Sequence, residues 1–573
     1  VAAIVLPRAV FFPYADDVQS SCRRPARPRR RWTTRTWASH WLSIASTLTA
    51  AACSGSAASG AGGLGDGGGT GATGDGGSTT QTEGGSRTGP SGGGDGGSSS
   101  SGDGSTASGA LGSTFRHGIN MGFPNSAFTD NDDGLLSAES GADSNRIKLP
   151  EYFLAQWGAG VRTDAAQSYF TNGMSNLVCF LIGPTQAHST APANSGDDVL
   201  EQYIPANLDE PIWNSDGTVN ANNYWAAYVS EVVTTYKPWI HIWEVWNEPD
   251  WVSDYTTTQK WTTAAPTAAD LPRFNGSVFD YIRMLRITTE VAKKIDPDAK
   301  IALGGIGYST FLSAILRYTD NPTDGSVTSD YPSKGDAYFD VTNFHYYPLY
   351  TPGNSDAAVA GFLSQKASFA TELTKASVTG KSWNATETGA PRYAVGGYPG
   401  GDDYAKNYIM KVMLEGQLNG MLGIDWFDLS DGAAEGASTD SYSYMGLYDD
   451  LSSLATPAGA TRTDTGWAYT TLSKLLKGAK EDVTATKALA LPKKVAGGAF
   501  VTADGHEAYA LWAAADPSDL AEDATATYSL ATSAGITAYA WDYAQTSASQ
   551  ALVSSGGHVA LSLTSSVQIF VAK

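Results

Sequence analysis

From Phe115 onward, short apolar runs alternate with longer stretches whose apolar positions recur every three or four residues. The first pattern predicts strands buried on both faces, the second helices with one buried side. The predicted strands are Gly118–Met121, Ser144–Leu149, Leu177–Ile182, Ile240–Trp246, Lys300–Gly305, Val341–Tyr346, Ser382–Thr386 and Gly423–Phe427. Between them, Tyr224–Thr235 and Val278–Lys294 show the clearest helical spacing, and Ala357–Thr374, Tyr404–Leu418 and Trp467–Leu476 follow it too. Eight strands with helices between them, over some hundreds of residues, predict an α/β chain closed as a (β/α)8 TIM barrel with long loops. A doubly wound sheet is the rival, but no Gly-rich phosphate loop follows the first strand. After Lys480 the pattern shortens to runs separated by turn residues: Ala499–Thr502, Glu507–Trp512, Thr525–Ser529, Thr537–Asp542, Gln550–Val553, His558–Leu563 and Val567–Val571. These predict a C-terminal β-sandwich, expected to support the barrel or to bind sugar.

Upstream of Phe115 the periodicity is absent. Residues 54–112 are almost wholly Gly, Ser, Thr, Ala and Asp, with too little apolar surface to fold, and are expected to act as a flexible linker. Before it, a polybasic stretch (Arg23–Arg35) precedes a short apolar run (Ala38–Ala52) and Cys53. That order predicts an export segment over 1–53, too short to span a membrane. Cys53 after three Ala resembles the lipid-modified Cys of bacterial lipoproteins, so a lipid there is the only membrane contact expected; plain cleavage near Ala52 is the alternative. The domain plan is therefore 1–53 export, 54–112 linker, 113–480 barrel and 481–573 sandwich. An exported protein, secreted or held at the cell surface, is the expectation.

Charge refines this picture. The chain of 573 residues carries a net charge of -21. Eight of its 37 basic residues but only two of its 58 acidic ones fall within 1–53, so the remainder sits near −27. Such a body lacks the basic face that nucleic-acid binding requires. Three Cys exclude a disulfide framework and a Cys-rich zinc module, and the seven His fall in no ligand spacing, so neither metal nor cofactor is expected. A monomer is expected.

In a barrel of this kind the chemistry lies at the C-terminal ends of the strands. The fourth predicted strand runs into Glu244-Val245-Trp246-Asn247-Glu248-Pro249, where Pro ends the strand and leaves Glu248 at the mouth. The seventh ends Asn384-Ala385-Thr386-Glu387-Thr388, placing Glu387 there as well. Two carboxylates facing each other across the opening are what double-displacement glycoside hydrolysis needs. Glu244, four residues before Glu248, points the same way and is expected deeper, as a structural acid.

On these motifs residues 115–480 resemble the retaining (β/α)8 glycoside hydrolases of clan A, and the strand-four segment most resembles family 39, the β-xylosidases and their relatives; family 5 is also compatible. The resemblance implies Glu248 as general acid/base and Glu387 as nucleophile, with the two carboxylates about 5–5.5 Å apart. It implies that Asn247 bonds a sugar hydroxyl, that Arg146 pairs with the nucleophile, and that His345 lies near the acid/base or the sugar. Tyr347 would donate to the nucleophile and Trp426 would floor the sugar subsite. Trp251, in the long aromatic loop from Asp250 to Phe274, is expected to stack on sugar. Glu248 is expected to be protonated when substrate binds, its pKa raised by a less polar site and by Glu387. The segment after Glu387, Thr-Gly-Ala-Pro-Arg, departs from the family 39 pattern, so the sugar is left open. The expected partner is a carbohydrate. An endo-acting β-glucanase or β-mannanase is the alternative to an exo-acting β-xylosidase-like enzyme, and a non-catalytic carbohydrate-binding lipoprotein is the alternative outside enzymes.

Overall fold

The computed structural model describes residues 114–572, apart from 121–124, 126 and 351. The expected export segment with Cys53, the 54–112 linker and Met121, the expected end of the first strand, lie outside the described residues. Eight parallel strands close into a barrel in sequence order: β1 (Arg116–Asn120), β2 (Ser144–Lys148), β3 (Leu177–Leu181), β4 (Ile240–Val245), β5 (Lys300–Leu303), β6 (Val341–Tyr346), β7 (Ser382–Thr388) and β8 (Gly423–Phe427), with β8 beside β1. Each connection crosses back over the outside, which parallel neighbours demand. The five predicted helices are present as Tyr224–Tyr236, Val278–Ile295, Ser355–Lys375, Asp402–Leu418 and Asp464–Leu476. Ser277 starts the second with a capping box to Asp280. Sequence periodicity missed Asp130–Ser140, Glu151–Trp157, Thr163–Thr171 and Ser309–Arg317, each too short to show several turns of pattern.

Val178, Ile242, Ala302 and Val341 form an apolar layer inside the barrel. Polar groups lie there too. Arg116 donates to Asn384 Oδ1 at 3.1 Å, and Asp425 packs over Gly118, where a Cβ would fall 1.6 Å from its Oδ1. No residue but Gly fits there. Burial pushes the Asp425 carboxyl up to about 7, against the pull of Arg116 and Arg146.

Beyond the barrel, β9 (Lys480–Glu481), β10 (Val495–Val501), β11 (Glu507–Ala513), β12 (Thr525–Ala531), β13 (Ile536–Tyr539), β14 (Ser549–Leu552), β15 (His558–Thr564) and β16 (Gln568–Ala572) form two antiparallel sheets. Their order is β14-β13-β16-β11-β10-β9 in the larger and β12-β15 in the smaller. Leu511 and Phe570 of the one meet Leu530, Val559 and Leu561 of the other in a shared core. All seven predicted strands are present; β9, two residues long, is the addition.

Polar contacts tie these sheets to the barrel helices. Trp512 Nε1 donates to Asp356 Oδ1 at 2.8 Å, and Lys411, its side chain fully buried, donates to Asp356 Oδ2 at 3.0 Å. Glu522 accepts from Ser355 Oγ and Asn407 Nδ2, both at 2.8 Å. Asn354, which caps the Ser355–Lys375 helix, donates to Asp516 O (2.8 Å) and Asp519 O (3.1 Å).

Candidate active site

Glu248 owes its position to an irregular turn after β4. Trp246 and Glu248 have φ of 72° and 47°, left-handed values that non-Gly residues adopt at a cost of about 1–2 kcal/mol each. The surroundings hold the turn. Trp246 N donates to Leu181 O (3.0 Å), its indole Nε1 to Arg273 O (2.9 Å), and Glu248 N to Gly304 O (2.6 Å). Pro249, which has no N–H to satisfy, completes the strand exit.

Arg146 on β2 organises the floor beneath this turn. Its guanidinium grips Glu244 through Nε–Oε2 (2.9 Å) and Nη2–Oε1 (2.8 Å), reaches Glu387 Oε1 at 2.6 Å and Asn247 Oδ1 at 2.7 Å. All of its bonds run to carboxylates or to an amide oxygen, so its charge is spent holding the two acids and fixing the Asn247 carboxamide with its NH2 end as donor. Glu244 is fully buried, the deeper structural acid expected.

A bulge in β7 places the second carboxylate. The pairing of β7 slips against β6 between Asn384 and Glu387 and against β8 between Ala385 and Thr388. Strict alternation would send Thr386 and Glu387 to opposite faces; the slip lets both point inward. Thr386 Oγ1 takes a bond from Asn343 Nδ2 (2.7 Å) and lies 3.0 Å from His345 Nε2, while Glu387 Oε2 accepts from the Tyr347 hydroxyl at 2.7 Å. His345 Nδ1 lies 3.0 Å from Glu248 Oε1 and 3.6 Å from Glu387 Oε2. The imidazole owes its seat to Gly305, where a Cβ would fall 2.0 Å from Nε2 and where φ is +61°. The clash excludes a side chain while the imidazole stays in place, and the left-handed backbone favours Gly further.

Glu248 and Glu387 thus converge, with one oxygen of each and a His345 nitrogen mutually within 4.8 Å. Among the described residues this is also the cluster that could hold a cation. Arg146 and Arg273, each bonded to one of its carboxylates, place positive charge there instead.

Electrostatics correct one expectation. Burial is the largest influence on Glu248 and pushes its carboxyl up, but the hydrogen bond and charge of His345, with Arg273 and Arg146, outweigh it and leave the group below its ordinary value. His345 moves the opposite way: burial lowers it, and Glu387 and Glu248 raise it above the usual imidazole value.

Of the other expected residues, Asn247, Arg146, His345 and Tyr347 all meet at the carboxylate pair, and Trp251 lies at the opening with the Arg273 guanidinium 4.4 Å from its ring centre. Trp426 does not. Asp425 faces the barrel interior, so alternation turns Trp426 outward; it is fully buried, bonded to Met445 O at 2.7 Å and packed on Tyr408 of the neighbouring helix. The inward residue is the next one, Phe427, whose ring meets Tyr347 (6.0 Å) and Tyr442 (6.2 Å). Sequence reading also missed Arg273, whose Nη1 lies 3.1 Å from Glu248 Oε2. It comes from the irregular loop after β4, and nothing in its sequence neighbourhood marks it. Beside Glu248 a cavity of about 440 Å³ opens between the loops after β4, β5 and β6 and the Ser355–Lys375 helix.

No family model matches the sequence, and no curated protein does. Solved structures do resemble the fold. A family 39 glycoside hydrolase from the gut symbiont Bacteroides cellulosilyticus WH2 aligns at 15% identity with a TM-score of 0.54, over 80% of this chain and 81% of that one. The catalytic domain of a GH30 xylanase C from Talaromyces cellulolyticus aligns at 14% identity and TM-score 0.49, over 81% and 98%. A GH30 endoxylanase from Clostridium papyrosolvens C71 aligns at 15% and 0.45, over 81% and 98%. At 15% identity the first of these shows a shared fold, the barrel of the glycoside hydrolases whose motifs the sequence resembles.

Proposed function

We propose that the protein is an exported glycosidase that cleaves β-glycosidic bonds of a neutral saccharide or glycoside with net retention of configuration. The observation that carries this reading is the approach of Glu248 and Glu387, whose nearest oxygens lie within 4.8 Å. Retaining enzymes hold their carboxyl groups about 5–5.5 Å apart, whereas inverting ones leave about 6.5–9.5 Å for a water. Glu387, gripped by Arg146 and Tyr347, attacks the anomeric carbon as the bond to the leaving oxygen breaks. Glu248 protonates that oxygen, then takes a proton from the water that releases the sugar. His345, whose Nδ1 lies 3.0 Å from Glu248 Oε1, stands where it can pass a proton to it. A bound substrate that displaces water from Glu248 favours its neutral form and draws the proton across. The negative body makes acidic polysaccharides poorer substrates than neutral ones.

Two measurements test this. In hydrolysis of a panel of β-glycosides followed by NMR, the β anomer should form first, and a 2-deoxy-2-fluoro glycoside of the same sugar should label Glu387. Initial formation of the α anomer, or a label elsewhere, sinks the reading. Arg273→Met should move the basic limb of the kcat/KM profile to higher pH. Removing that charge raises the Glu248 carboxyl, and a general acid loses activity as pH rises through its pKa. A basic limb that stays in place would show that Arg273 does not act through Glu248.

A further inference from the structure

We infer that Thr386 is a positioning residue: its hydroxyl holds the His345 ring with the hydrogen on Nε2, which leaves Nδ1 as the nitrogen that exchanges a proton with Glu248. The role of Glu248 as acid rests on the glycosidase reading above. The bonding capacity of one hydroxyl decides the tautomer. Thr386 Oγ1 has one hydrogen and two lone pairs, and three groups surround it: Asn343 Nδ2 at 2.7 Å, His345 Nε2 at 3.0 Å and Glu244 Oε1 at 3.3 Å. Asn343 must donate. Its Oδ1 takes the Thr386 amide at 3.1 Å and its Nδ2 also meets Leu303 O at 3.0 Å, so the carboxamide has one workable orientation. Glu244, gripped by Arg146 through both oxygens, can only accept. The hydroxyl hydrogen therefore goes to Glu244. The lone pair that remains is met by an N–H at His345 Nε2.

The other ring nitrogen is thereby left for the acid. Nδ1 lies 3.0 Å from Glu248 Oε1 and 3.6 Å from Glu387 Oε2. From a protonated ring the step balances without any rotation: the Nδ1–H bond breaks, the Glu248 O–H bond forms, and the ring is left neutral with its hydrogen on Nε2. A neutral ring with its hydrogen on Nδ1 would instead donate to Glu248 and hold that carboxylate ionised, unable to act as an acid. The charged groups that face the ring are Glu244 and Glu248 from the β4 side, Glu387 from β7 and Arg146 from β2. Behind them, Arg273 is bonded to Glu248, Tyr347 is bonded to Glu387, and Asp250, buried on the loop after β4, feels the charge of Glu248. A substitution of Thr386 leaves every one of these groups present. The slip in β7 is what lets this hydroxyl face inward beside the nucleophile.

Two variants test this: Thr386→Val keeps the shape and removes the hydroxyl, and Thr386→Ser keeps the hydroxyl. The first measurement uses no substrate. In isotope-labelled protein above the titration of His345, long-range nitrogen–proton NMR spectra read the tautomer of the neutral ring, its signals assigned by their loss in His345→Gln. Wild-type protein and Thr386→Ser should carry the hydrogen on Nε2, and Thr386→Val on Nδ1. The second measurement is kcat/KM against pH on an activated β-glycoside. Without the hydroxyl the protonated ring loses a partner, and the neutral ring can turn its hydrogen toward ionised Glu248. Both effects release the shared proton sooner, so the basic limb should fall by about one pH unit in Thr386→Val and stay in place in Thr386→Ser. A wild-type ring with its hydrogen on Nδ1 would overturn the inference. So would a Thr386→Val variant whose tautomer or basic limb stays where it is, even if activity fell at every pH. Should Thr386→Val fail to fold, the wild-type tautomer still decides. If wild-type protein turns over no β-glycoside, the glycosidase reading fails by itself, and the spectra still uphold or overturn the hold of Thr386 on the ring.

Discussion

Glu387→Gln should lower kcat on an activated aryl glycoside by about four orders of magnitude or more, while the protein stays folded. The loss is expected because a carboxamide cannot form the glycosyl-enzyme, so the two-step route is closed rather than slowed. Retained folding is expected because the substitution keeps the shape of a nearly buried side chain whose partners are Arg146 at 2.6 Å and the Tyr347 hydroxyl at 2.7 Å. An amide oxygen still accepts from Arg146, and a tyrosine hydroxyl can accept from an amide NH2. Turnover near the wild-type rate would remove Glu387 as nucleophile. A collapse of activity accompanied by unfolding would point to structure, and the two are separated by the melting curve.

Arg146→Met should be the most damaging substitution to the fold among the site residues, at about 3–5 kcal/mol, because it strips two buried carboxylates of their counterion at once. Glu244 is fully buried and would keep Thr386, whose hydroxyl lies 3.3 Å away, and the His345 ring, whose Nε2 lies 3.9 Å away. Methionine fills much of the guanidinium's volume, so the loss would report charge rather than a cavity. Denaturant unfolding measures it. A double variant with Glu244→Gln should recover part of the loss, since one unpaired charge is gone. If Arg146→Met alone costs less than about 1 kcal/mol, the guanidinium is not what compensates these acids.

The barrel was legible because strands such as Leu177–Leu181 and Ile240–Val245 are short apolar runs, and because the helices Val278–Ile295 and Tyr224–Tyr236 are long enough to repeat their pattern. The carboxylate pair was legible because Asn-Glu-Pro and a second Glu both end strands. Alternation carried the Glu244 placement but was not applied to Trp426, where it would have pointed to Phe427. What stayed hidden depends on contacts distant in sequence. The bulge that lets Thr386 and Glu387 both face inward is a property of β7 against its two neighbours, and Gly305 matters only because His345, forty residues later, packs over it. The direction of the Glu248 shift was missed for the same reason. Burial alone would raise it; the bond and charge of His345, and then Arg273 folded back to face it, lower it through contacts the sequence does not reveal.

The helix Ser355–Lys375 serves two masters. Its first turn is bonded to Glu522 and to the Trp512 indole of the C-terminal sheets, and one face farther along, at Gly361, Ser364, Gln365 and Ser368, walls the cavity. A helix is a stiff rod, so a change at its sheet-bound end is delivered to that wall as a tilt. A substitution in the C-terminal sheets therefore has a route to the cavity wall with every residue of the barrel mouth unaltered.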